Sequence, residues 1–98
     1  MRIGILVLAY NAEKTIGSVL TRIPQEVYES CEGVYVFDDA SNDQTTKVST
    51  DFQRGNKFGK KIRVITHPKN LGYGGNQKFS YDFAQKEGLD VVALLHGD

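Results

Sequence analysis

Hydrophobic and polar positions along this chain alternate between two rhythms. Ile3 to Leu8 is a near-continuous apolar run of strand length, after which Ala12, Ile16, Val19, Leu20 and Ile23 recur at helical spacing until Pro24. Val34 to Phe37 predicts a second strand, and Ser41-Asn42-Asp43-Gln44 then offers N-cap candidates and a Ser-x-x-Gln capping box for a weakly amphipathic helix running to about Phe52, with Val48 and Phe52 as its apolar contacts. The glycine- and lysine-rich stretch Arg54 to Lys61 reads as a loop before a third strand at Ile62 to Thr66. A glycine-dense turn, Asn70 to Gly75, opens a helix that should carry Phe79, Phe83 and Ala84 inward and stop at Gly88, ahead of a fourth strand from Asp90 to Leu95.

The predicted order is β-α-β-α-β-α-β, a Rossmann-like α/β domain with a mainly parallel sheet over residues 1–98 and no internal linker. The strands are apolar throughout, as expected where helices cover both faces of a parallel sheet. Right-handed crossovers bring the carboxyl ends of all strands to one edge of the sheet, where open α/β folds bind ligands. Leu8 to Asn11, Asp38-Asp39, the turn after Thr66 and His96-Gly97-Asp98 are expected to meet there.

At that edge, apolar runs break abruptly into polar chemistry. Two adjacent carboxylates, Asp38 and Asp39, carry a like-charge and desolvation penalty unless donors or a cation oppose it; a ligand would do so, and so would a helix cap for one of them with solvent for the other. The glycines of Asn70-Leu71-Gly72-Tyr73-Gly74-Gly75 either admit a ligand close to the backbone at a helix amino end suited to phosphate, or simply serve a tight turn. This is not the dinucleotide fingerprint, because the third glycine is missing and the turn follows the third strand. Lys78 stands one helical turn beyond and offers a charge to a diphosphate. Asp98 could supply a hard oxygen ligand to Mg²⁺ or Mn²⁺, with Gly97 leaving room for a bulky ligand against the backbone. His96 reads as a strand-end residue, and His67, ahead of Pro68, lacks the spacing of a zinc site.

Charge and composition narrow the function. Twelve basic residues balance twelve acidic ones, which argues against a nucleic-acid partner needing a basic face but permits a local anion pocket. Cys31 is the single cysteine, so no internal disulfide is possible and a reducing, cytoplasmic setting is expected, at the membrane face if the parent protein acts there. The apolar run from Ile3 to Tyr10 is too short for a membrane span and lacks a signal-peptide layout.

Four motifs in order then carry a resemblance over essentially the whole chain: Leu8-Ala9-Tyr10-Asn11-Ala12-Glu13, Asp38-Asp39-Ala40-Ser41-Asn42-Asp43-Gln44-Thr45, Asn70 to Gly74, and His96-Gly97-Asp98. Together they resemble the N-terminal, nucleotide-binding half of an inverting family 2 glycosyltransferase with the GT-A fold, in the branch of dolichyl-phosphate mannose synthase and related polyprenyl-phosphate sugar transferases. The resemblance implies that Ala9, Tyr10, Asn11 and Glu13 line a nucleotide pocket, that Asp39 with Asp38 bonds the base or ribose, and that Gly72, Gly74 and Lys78 lie near the diphosphate. It further implies that Gly97 and Asp98 belong to the Asp-x-Asp motif, with Asp98 holding a divalent metal, Mg²⁺ or Mn²⁺. The donor would be a UDP- or GDP-linked sugar and the acceptor a lipid phosphate or glycan.

Departures from the pattern are Leu8 for proline, Glu13 one residue late, Tyr73 at a position often basic, and His96 for the first acid of Asp-x-Asp. By this resemblance the acceptor half and any general base lie beyond residue 98, so the chain as given is expected to be inactive and, with an unpaired sheet edge, to self-associate. A stand-alone or inactive nucleotide-binding module is the alternative reading. A sugar nucleotidyltransferase ranks lower, since residues 9–13 lack the glycine- and arginine-rich loop such enzymes carry after the first strand.

Overall fold

The longest apolar runs become the two central strands of a four-stranded, all-parallel sheet of order β3-β2-β1-β4. In the computed structural model of residues 1–98, the elements are β1 (Ile3–Ala9), α1 (Ile16–Arg22), α2 (Gln25–Ser30), β2 (Gly33–Asp38), α3 (Thr45–Gly55), β3 (Ile62–Thr66), α4 (Gly72–Lys86) and β4 (Val91–His96), with a 3₁₀ turn at Gly59–Lys61. β1 is the hub. It pairs with β2 from Gly4↔Gly33 to Ala9↔Asp38, and with β4 from Ile3↔Val91 to Leu8↔His96.

Because side chains alternate across a strand, the sheet sorts its residues by parity onto two faces. Ile5, Val7 and Ala9 share one core with Val34, Val36 and Ile62, closed by Ile16 and Leu20 of α1 and by Val48 and Phe52 of α3. Leu6 and Leu8 share the other with Tyr35, Phe37 and Ala84, closed by Phe83. Phe37 is the pivot of this second core and meets the rings of Phe79 and Phe83 edge-on, with centroids 6.0 and 5.3 Å away.

Several expectations are corrected. The helical spacing from Ala12 yields a turn first, and α1 begins only at Ile16. Pro24 does not end helical structure; it serves as the N-cap of α2, since its fixed φ suits a helix start and its missing N–H costs nothing there. Tyr28 of α2 locks this unexpected helix into the core, donating its hydroxyl to the Leu20 carbonyl at 2.7 Å and stacking on Phe58 with centroids 5.0 Å apart. The Ser41-x-x-Gln44 capping box does not form: α3 starts at Thr45, and no side chain of its N-cap residue, Gln44, bonds the helix. Phe79 is turned partly outward, 40% exposed. The strands are also not all covered on both faces. β1 and β2 are buried, whereas the edge strands β3 and β4 are only half-buried, with exposed residues at Arg63, Val91 and Ala93. Between β4 and the α1–α2 corner this leaves an apolar groove of about 410 Å³ bordered by Ile5, Val19, Ile23, Val27, Ala93 and Leu95.

Candidate functional site

β1, β2 and β3 follow one another to one side, and the chain then crosses back to lay β4 on the other side of β1. The reversal opens a crevice between the carboxyl ends of β1 and β4, the topological switch point at which such sheets take ligands. A cleft of about 320 Å³ lies there, lined by Leu8, Ala9 and Tyr10 after β1, Asp39 after β2, Asn70, Gly72, Tyr73 and Asn76 around the start of α4, and His96 and Asp98 after β4.

Residue parity decides which acid faces this cleft. Asp38 continues the Val34–Val36 side of β2, is 1% exposed and points toward α3. Its Oδ1 accepts the Ser41 amide at 3.1 Å and the Ser41 hydroxyl, while its Oδ2 accepts the Thr46 hydroxyl. Ala40 makes this geometry possible by adopting φ +56, a left-handed conformation costly for a residue with a Cβ, which folds Ser41 back over Asp38. Asp39 has the opposite parity. Its Oδ1 accepts the Leu71 amide at 2.6 Å, its own carbonyl accepts the Asn70 side-chain amide at 3.0 Å, and it thereby ties the β3–α4 turn to the end of β2 while bordering the cleft.

Asn11 and Glu13 are likewise directed away from the cleft, into a lacing between the β1–α1 and β2–α3 loops. The amides of Asn11, Ala12 and Glu13 donate to Ser41 Oγ (2.8 Å), Thr45 Oγ1 (2.8 Å) and Asp43 Oδ2 (3.2 Å). In return the amides of Asn42 and Gln44 donate to Asn11 Oδ1 (2.9 Å) and Glu13 Oε1 (3.0 Å). The Glu13 carboxylate therefore caps the amino end of α3, together with Asp43, which accepts the Thr45 amide. Burial pushes the Asp43 carboxyl upward, but the Thr45 hydroxyl and the Glu13 and Thr45 amides outweigh it and hold the pKa below the usual carboxylate range.

Of the residues expected around a nucleotide, Ala9, Tyr10, Asp39, Gly72 and Asp98 thus share the cleft, while Asn11, Glu13, Asp38, Gly74, Lys78 and Gly97 are not among its lining. Gly72 has φ +79, and the Asn70 side chain accepts its amide at 2.9 Å, so this glycine makes the turn that sets the amino end of α4 at the cleft. Gly97 is a packing glycine. Its amide donates to the Leu8 carbonyl at 2.7 Å, and a Cβ there would stand 3.0 Å from that of Ala9 and 3.1 Å from Ile16 Cδ1. Lys78 is exposed on α4.

Sequence reasoning passed over the aromatic wall and the inner wall of the cleft. Tyr73 stacks on His96 with centroids 5.6 Å apart, so the last residue of β4 leans on α4. Asn76 and His67 are both buried and bonded to each other at 2.8 Å. No group of three or more His, Cys, Asp or Glu side chains converges into a metal cage. The cleft holds two carboxylates, Asp39 and Asp98, and neither lysine nor arginine.

Comparison with known proteins agrees with this architecture. The model of the glycosyl transferase family 2 matches residues 4–98. A human dolichyl-phosphate beta-glucosyltransferase is 37% identical over 86 residues, covering 76% of this chain and 25% of that protein. An uncharacterized glycosyltransferase of Haemophilus influenzae is 32% identical over 71 residues, covering 72% of this chain and 21% of its own. The chain therefore spans about a quarter or less of the length of these relatives. The crystal structure of S. aureus TarS 1–349 in complex with UDP superposes over 100% of this chain and 28% of that one, with a TM-score of 0.69 and 22% identity; a structure of the same TarS segment reaches 0.73 at 23% identity. At this identity the likeness is one of fold, that of the GT-A glycosyltransferases.

Proposed function

The chain belongs to glycosyl transferase family 2, and from that premise we propose that it is the nucleotide-sugar-binding portion of a longer enzyme that transfers a sugar from a nucleoside-diphosphate donor, with inversion, to a polyprenyl phosphate or a glycan. The observation that carries the proposal is the convergence of Ala9, Tyr10, Asp39, the amino end of α4 and Asp98 on one cleft at the switch point of the sheet. The half-exposed Tyr10 ring offers a stacking face for a base, and Asp39, whose Oδ1 is occupied by Leu71, keeps its other oxygen for a base or ribose donor.

A diphosphate entering beside two carboxylates needs counter-charge. The dipole of α4 supplies part of it. Asp98 provides a single carboxylate, which fits the way Mg²⁺ is held by one or two carboxylates plus the substrate's own phosphate oxygens, and fits less well with an all-protein cage. A divalent cation held by Asp98 would neutralise charge on the departing nucleoside diphosphate. The reaction is an in-line displacement: an acceptor oxygen forms a bond to the anomeric carbon as the bond to the diphosphate oxygen breaks, and the electron pair leaves with the diphosphate. A polyprenyl phosphate, the acceptor class suggested by the human relative's name, is already ionised at neutral pH and needs little base catalysis, whereas a hydroxyl needs a positioned carboxylate.

Calorimetric titration with UDP and GDP, each with and without Mn²⁺, tests the proposal. Metal-enhanced binding of either nucleotide is the expected result; metal-independent binding would instead favour a stand-alone nucleotide-binding module, and no binding of either would refute the donor site. The apolar groove beside the unpaired edge of β4 supports self-association of this chain, and light scattering showing a clean monomer would refute that part.

A further inference from the structure

Asn76 is 3% exposed, borders the cleft from near the amino end of α4, and has one of its two Nδ2 protons without a protein partner. Its Nδ2 donates to the Phe37 carbonyl at 3.1 Å, and its Oδ1 lies 2.8 Å from Nε2 of His67. A carbonyl can only accept, so the amide nitrogen of Asn76 must face Phe37 and its oxygen must face the imidazole. His67 Nε2 must therefore carry a proton and donate it. His67 has little freedom to do otherwise, since its ring is buried edge-on against Phe79 with centroids 4.5 Å apart and its backbone amide is bonded to the Asp38 carbonyl at 2.9 Å. An amide held from both sides in this way has its orientation fixed, and one of its two Nδ2 protons is left over.

We propose that Asn76 is a fixed hydrogen-bond donor for a carbonyl oxygen of the bound nucleobase, and that His67 is the positioning residue that sets its polarity. The inference rests on the nucleotide-binding reading of the cleft and adds to it a rule of base selection. Asp39, on the same cleft, presents an acceptor. A donor and an acceptor lining one cleft can complement a base edge in which a ring N–H adjoins a carbonyl, as in uracil and guanine. Cytosine presents a bare ring nitrogen at that place, which would face the Asp39 carboxylate with no proton between them.

The test uses the 98-residue chain with UDP, GDP and CDP in the presence of Mn²⁺, read by calorimetry and by the ¹⁵N–¹H resonances of the Asn76 side chain. The wild-type chain should bind UDP or GDP at least about tenfold more tightly than CDP, and one of the two Asn76 Nδ2 protons should shift on binding, consistent with one lost hydrogen bond plus a repelled lone pair. Asn76→Asp, nearly isosteric but without the donor, should lower affinity for the favoured nucleotide about tenfold or more. His67→Leu should flatten the preference over CDP, and His67→Gln, whose amide N–H can still reach Asn76, should restore it. Melting curves identify any variant that fails to fold, and the resonance measurement on the wild-type chain requires no variant. Wild-type binding with unmoved Asn76 protons, or with Asn76→Asp binding unchanged, would overturn the proposal alone. Failure of the wild-type chain to bind any of the three nucleotides would overturn the donor-site reading and this inference with it.

Discussion

Replacing Asp38 by alanine should damage the fold and not merely a binding contact, and the size of the effect can be worked from its surroundings. The carboxylate is buried and accepts from the Ser41 amide, the Ser41 hydroxyl and the Thr46 hydroxyl. Hydrogen bonds to a charged group contribute about 1.5–3 kcal/mol each, but the two hydroxyls can turn elsewhere, Thr46 toward the Thr66 hydroxyl 2.9 Å away. What cannot be re-satisfied is the Ser41 amide, and the left-handed turn at Ala40 loses the carboxylate that holds Ser41 in place. A loss of about 3 kcal/mol follows, which for a domain of this size lowers Tm by roughly 12–24 °C. Asp38→Asn keeps an acceptor for Ser41 and offers an N–H to the Thr46 hydroxyl, so it should lose only about 1 kcal/mol. Thermal denaturation followed by circular dichroism reads both variants. An Asp38→Ala chain melting within about 2 °C of the wild type, well inside the shift expected for even one lost kilocalorie, would refute the structural role and return Asp38 to the ligand.

Gly59→Ala would set a Cβ 2.1 Å from the Gln53 carbonyl oxygen and should destabilise by roughly 2–3 kcal/mol in denaturant titration, whereas Gly55→Ala meets nothing within 4 Å and should be neutral or slightly stabilising. Asp43 is held ionised in the folded state, so its contribution is present above the unfolded carboxylate value and is lost as pH falls through the lower folded one. The stability gap between wild type and Asp43→Asn should accordingly narrow as the pH falls below about 4 in urea titrations, and a gap independent of pH would contradict the capping role. Burial, partly opposed by the Lys61 charge, pushes the Cys31 thiol upward; the native chain should react slowly with a disulfide reagent at pH 8 and fully once guanidinium is added.

β1 and β2 were legible because buried parallel strands are apolar along their whole length, and the edge strand Ile62–Thr66, although it carries Arg63, still matches its predicted bounds residue for residue. The helix at Gln25–Ser30 was not, since only Val27 and Tyr28 are apolar there and Pro24 reads equally as a stop or a start. Within the site, chain neighbourhood misled where side-chain parity would have helped. Tyr35, Phe37 and Asp39 share the face that α4 covers, and Val34, Val36 and Asp38 share the other, so alternation alone distinguishes the acid at the cleft from the acid under α3. The turning away of Asn11 and Glu13 had no such signal, because it depends on donors about thirty residues further along the chain. The pairing of His67 with Asn76 is equally silent in the sequence, being made across a loop between two elements of different type.

The order β3-β2-β1-β4 also carries a consequence for biosynthesis. β1 leaves the ribosome before its neighbours, yet one of its two edges waits for β4, and the register joins Ile3 to Val91 across nearly the whole chain. Throughout that interval a growing chain can assemble β1, β2 and β3 while one flank of its most hydrophobic strand stays open. The same late strand completes the cleft, since His96 and Asp98 arrive with it. Nascent chains thus stay open to mispairing along this flank of β1 until the segment from α4 to β4 has been made, and they acquire the complete cleft only as that exposure ends.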